Sequence, residues 1–388
     1  MSSNAFDQLE AALGAGGPQP AFDLLARTCL EQKNYRLLFE TRLLQKRHEL
    51  GLPLVFHDSL DDIPADRRRP YEEAFVAAAR EAGQLFLADG NIPAAWPYFR
   101  ALGDPAPVAA AIEKVEAGEG VEPIIEIAYL EGVNPYKGFQ LLLAHHGTCR
   151  AITSFEQYSA RTGRDDCARL LVRTVHDELV ARLKHAIAEV EGQASDTTNV
   201  SELIAGRDWL FGEYTYYIDT SHLLSVIRFS AELDDPETLR LAVELTDYGR
   251  RLSHHFQYKG EPPFENIAAD YGVYLRALLG EDTGAAVEHF RRKVAESDPE
   301  QVGTAPAQIL VGLLARLERY PEAIEVSIQH LRDADPARLG CPSVFELCQA
   351  AGDFTRLQEL ARERGDLLHF AAGALAQPPH PDRDRQNR

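Results

Sequence analysis

With 388 residues, 45% of them hydrophobic, the chain has ample material for a folded core and is long for one small domain. Its formal net charge of -20, from 60 acidic and 40 basic residues, argues against general nucleic-acid binding and against docking on anionic membranes, since both surfaces are themselves negative. Five cysteines (Cys29, Cys149, Cys167, Cys341, Cys348) form no CxxC pair, so neither a disulfide framework nor a cysteine zinc finger is expected, and a reducing cytoplasm fits.

The opening "MSSNAFDQLEAALGAGG" has no basic n-region and no apolar h-region, so no signal peptide is expected. No run approaches the roughly 18 apolar residues of a membrane-spanning helix. Apolar residues recur at three- and four-residue intervals, and turn signals such as "LGDPAP", "GVNPYKG", "ELDDPE" and "YKGEPP" cut the chain into helix-length pieces. About eighteen helices follow from this pattern, joined by short loops. "AGQLFLADGNIPAAWPYFRALGDPAP" (82–107) predicts a helix pair. "YKGFQLLLAHHG" (136–147) predicts a helix ending at its glycine, with Phe139, Leu142, Leu143 and His146 on the buried stripe and His145 pointing away. In 165–192, Leu171, Val172, Val175, Leu179, Leu183 and Ile187 form one apolar stripe that also carries His176. "DWLFGEYTYYIDTSHLLSVIRF" (208–229) concentrates aromatics; read as helix, Leu210, Tyr214 and Tyr217 share a face and Tyr216 falls off it. The polar, proline-rich tail, 377–388, is expected to be disordered.

Gly83, Phe86, Ala95, Phe99 and Pro107 stand at tetratricopeptide spacings. Small residues there let two antiparallel helices approach, aromatics fill the gap, and proline ends the second helix. "LLARLERYPEAIEVSIQHLRDADP" (313–336) follows the same pattern through Tyr320 and Ala323, and Phe354 comes one period, roughly 34 residues, later. Over 80–116 and 263–376 the chain resembles the tetratricopeptide-like helical repeats. The resemblance implies an all-α fold, an α-solenoid of antiparallel helix pairs. Its parts are N-terminal repeats (1–120), an irregular central region with a candidate polar pocket (121–260), and C-terminal repeats (261–376).

His146, His176 and His222 come from three central helices and point inward. Converging, they would hold zinc or iron, with a carboxylate or water completing the shell. Glu131, Asp219 and Glu213 are the carboxylate candidates. Glu131 is limited by a simple hairpin of 121–131 with 136–147, which sets it beside Lys137 and roughly 13 Å from His146. The plainer account of each histidine is a core imidazole hydrogen-bonded to a carbonyl. Cys149 reads as a small buried hydrophobe, or as a nucleophile with His146 as base.

Two functions are open. The resemblance implies a binding protein presenting a concave surface to a protein or peptide partner, basic or amphipathic given the acidic charge. The alternative is a metal-dependent enzyme or sensor, hydrolytic or using iron–oxygen chemistry. Its ligands would be His146, His176, His222 and Glu131. Asp219 would serve as ligand or general base, and Tyr217 or Arg207 would orient a small anionic substrate.

Overall fold

The pieces between turn signals become helices. The computed structural model describes residues 3–55, 63–158, 161–193 and 195–376. It contains twenty α-helices and no β-strand among those residues, and one isolated antiparallel bridge joins Lys259 and Asn266. No helix among them is long and apolar enough to cross a membrane. The tail 377–388 lies outside the described residues. The chain divides into two units, Met1–Cys167 and Ala168–Arg388. The repeat-pattern boundaries at 120 and 260 fall in loops inside these units.

The first unit runs α1 (Ser3–Gly16), α2 (Pro18–Glu31), α3 (Tyr35–Glu49), α4 (Ala65–Ala88), α5 (Ile92–Leu102) and α6 (Ala106–Ile112), each packed on the next. Then come α7 (Glu122–Ile125), a π-helical turn (Glu126–Leu130), α8 (Pro135–Gln157) and the start of α9 (Arg164–Glu191). Asparagines set several of the starts. Asn34 and Asn91 accept the Leu37 and Ala94 backbone N–H groups, each at 3.1 Å, supplying partners that the first helical turn lacks.

The α4–α5 pair is held by close approach. A Cβ on Gly83 would sit 2.7 Å from the Phe99 ring. Ala95 and Phe99 are fully buried, and Phe86 packs against the same cluster. Only hydrogen at position 83 leaves room for that ring.

The second unit continues α9 and adds α10 (Val200–Ile204), α11 (Thr220–Ser230), α12 (Pro236–Arg251), α13 (Ile267–Leu278), α14 (Thr283–Glu296), α15 (Pro299–Val302), α16 (Ala305–Arg316), α17 (Tyr320–His330), α18 (Val344–Ala350), α19 (Phe354–Glu363) and α20 (Leu367–Ala376). From α16 onward every helix packs on its successor. Ala323, at the predicted close-packing position, is fully buried. The six apolar residues of the α9 stripe are all fully buried as well.

Three local expectations fail. Residues 211–219 are not helical, and Tyr214 is 70% exposed instead of sharing a core face. The helix predicted to stop at Gly147 resumes beyond it, because glycine absorbs φ 78°, ψ 176°, a region essentially closed to residues with a Cβ. Cys149 is exposed, not buried.

At an open helix position Gly→Ala gains about 1 kcal/mol from helix propensity. Gly83→Ala should instead lose about 1–2 kcal/mol through the clash with Phe99, read as an earlier first transition in urea. Phe99→Leu in the same chain should recover part of that loss.

Candidate metal centre

The α7–π–α8 hairpin builds this site. Asn134 caps α8 by accepting the Lys137 N–H at 3.3 Å, so the chain reverses over a few residues. Gly138 then lies against the π-turn so closely that a Cβ there would stand 2.6 Å from the Tyr129 nitrogen. The π-turn is marked by the Glu131 N–H reaching Glu126 O, five residues back, at 3.0 Å. Such single turns recur at functional sites.

An antiparallel hairpin brings the start of its first arm to the end of its second. Here Glu122 meets the paired histidines: His145 Nε2 lies 2.7 Å from Glu122 Oε1. The His145 and His146 rings stand 4.6 Å apart at 81°. One ligand atom from each of Glu122, His145 and His146 lies within 4.8 Å of the others. The Glu122 carboxyl is held below its ordinary range by its own backbone N–H and then by His145, so it is poised as an anion. All three residues are exposed. Beside them opens a pocket of about 390 Å³ lined by Glu122, Glu126, His146, Arg150, Ser154 and Tyr158, among others. Gly147, with its non-helical backbone, follows directly on His146.

The residues singled out from the sequence fall as follows. His146 is exposed, not on a buried stripe, because α7 begins at Glu122 and leaves the last turn before Gly147 uncovered. Glu131 sits at the other end of the hairpin, accepting from Trp96 Nε1 at 2.9 Å and pairing with Arg100 at 3.1 Å. The carboxylate that reaches the histidines is Glu122, which the hairpin register that limits Glu131 also picks out.

His146 belongs to the first unit; His176 and His222 belong to the second. His176 is buried in α9, its Nε2 2.9 Å from Glu244 Oε2. Glu244 also accepts from Asn199 Nδ2 and the Val200 N–H, each at 2.7 Å. This is the core imidazole with a partner, the partner being a carboxylate and not a carbonyl. His222 is half-buried in the first turn of α11 and donates its backbone N–H to Asp219 at 3.3 Å.

Asp219 is that helix's N-cap, accepting from Ser221 Oγ at 2.6 Å and Ser221 N at 2.9 Å, with Ser221 as the main cause of its lowered pKa. A carboxylate so engaged is a weak base. Arg207 is clamped on Glu191 at 2.6 and 3.0 Å and on Leu203 O at 2.9 Å. Tyr217 is half-buried and, with Tyr216, Arg182 and His185, lines a shallow pocket of the second unit. Glu213 pairs with His255 at 3.2 Å.

A second cavity, about 660 Å³, lies among α3, α4 and α5. Its wall is aromatic: Phe39 meets Phe75 at 5.4 Å and Tyr98 at 5.3 Å between ring centroids.

The capping role of Asp219 separates from a catalytic one by stability. Asp219→Ala should cost about 1 kcal/mol, and Asp219→Ser should recover most of it. Since the folded carboxyl titrates below its ordinary value, this stabilisation is complete above the unfolded pKa, about 3.9, and is lost as pH falls through the folded one. Chemical denaturation across that range checks it. No family model matches this chain, and no curated protein and no solved structure matches it either.

Proposed function

We propose that the first unit binds a divalent metal ion through Glu122, His145 and His146, as the centre of a metal-dependent enzyme or sensor. The observation that carries this reading is the meeting of three donor atoms within 4.8 Å. Two imidazoles and one carboxylate are the donor set of catalytic zinc sites and of non-haem iron sites, and both leave positions open for water or substrate. Zinc or iron is therefore the ion proposed. With zinc the chemistry is metal-assisted hydrolysis; with iron it is oxygen chemistry. The exposure of the site and the adjoining pocket support access by a small-molecule substrate.

Untagged protein should carry about one first-row metal ion per chain. His146→Ala and Glu122→Gln should each weaken cobalt binding at least about tenfold, while His176→Ala and Glu131→Gln leave it within about twofold. Affinity should fall in acid, because protons compete with the metal ion for its donor atoms. Substoichiometric metal that is indifferent to His146→Ala ends this reading.

The groove among α3, α4 and α5 favours a second reading, a tetratricopeptide-like helical-repeat binding protein. Its support is the aromatic wall together with the Gly83, Phe86, Ala95 and Phe99 pattern of the adjoining helix pair. The partner would be a peptide or protein segment presenting apolar side chains, with basic flanks to match the net charge of -20. A photoreactive residue in place of Val76, which is 43% exposed on the groove, should crosslink such a segment. Phe75→Glu should abolish the crosslink; an unchanged yield rejects the groove.

A further inference from the structure

Resting on the metal reading, we infer that the pocket beside Glu122, His145 and His146 takes a small oxyanion, a carboxylate or phosphoryl group, bound between the metal ion and Arg150. Arg150 lines this pocket together with His146. It is exposed, and among the described residues its guanidinium has no ion pair or side-chain hydrogen bond. Among the residues lining the pocket it is the one arginine or lysine, so it is the cationic group an entering anion would meet there. A guanidinium offers five donors in a planar fork suited to a carboxylate or phosphate, and Arg150 has its fork open.

Charge decides when an anion can enter. Glu122 and Glu126 line the same pocket, and two carboxylates by themselves repel an anion. A divalent ion on Glu122, His145 and His146 reverses the local sign and offers an open coordination position. The anion then meets metal on one side and Arg150 on the other. Gly147 separates the two groups: His146 precedes it and Arg150 follows in the resumed part of α8. The backbone break thus sets the angle between the metal-binding arm and the anion-binding arm. A volume of about 390 Å³ suits a small ligand and not a macromolecule.

The test uses the full chain with cobalt(II), whose visible spectrum reports its ligands, and with acetate and methylphosphonate as separate probes. Cobalt-loaded protein should show a saturable spectral change with one or both anions, and calorimetry on metal-free protein should show no anion binding. Arg150→Gln should bind cobalt within about twofold of the parent but weaken the anion at least about tenfold; Arg150→Lys should fall between. Acetate alone acting identifies a carboxylate ligand, and methylphosphonate alone a phosphoryl ligand. Cobalt binding with an anion response that Arg150→Gln leaves unchanged, or no anion response, overturns the inference and leaves the metal site standing. Absence of cobalt binding removes the metal site and this inference with it.

Discussion

A helix of ten to fifteen residues is marginal alone in water, and most helices here are of that length or shorter. Most of them persist by burying one face on a neighbouring helix. That requirement sets the rest of the structure. It demands close approach, met where Gly83 admits the Phe99 ring and where Gly138 lies on the π-turn. It also demands short reversals, and a short reversal decides which ends of two helices meet. The encounter of Glu122 with His145 is a product of hairpin register before it is anything chemical.

The fold was legible in the sequence where its contacts are local. Gly83, Ala95 and Phe99 lie within one helix pair, so spacing alone reports that they touch. The α9 stripe was legible for the same reason, since 3.6-residue periodicity names the buried face without naming what covers it. The site was legible in part. The paired histidines drew attention, but their partner did not, because Glu122 lies a hairpin's length earlier and carries no motif. Periodicity gave a face for His146, His176 and His222. It gave no information on which unit each would join, nor on where the covering helix stops.

Two backbone features were hidden for a different reason. The π-turn at Glu126–Leu130 and the resumption of α8 after Gly147 depend on small adjustments of backbone geometry under tertiary packing, to which residue type is a weak guide. Residues 211–219 read as helix because aromatic spacing there imitates helical periodicity; glycine at 212 and the cap at Asp219 mark the interruption only in retrospect. The half-buried polar cluster of His176, Glu244, Asn199 and Val200 shows the opposite case. It needs residues from three helices, and its members satisfy one another so completely that few donors are left for an ion.

Gly147 has a consequence for how this protein tolerates variation. It is exposed and its missing Cβ would touch nothing within 4 Å, so by burial it ranks among the most replaceable positions in the chain. Its φ of 78° and ψ of 176° say otherwise. A surface position whose replacement is forbidden by torsion, not by crowding, would stand out among related sequences as an invariant point with no visible partner, and such a signature would locate the hinge between the two arms of α8 without any structure at all.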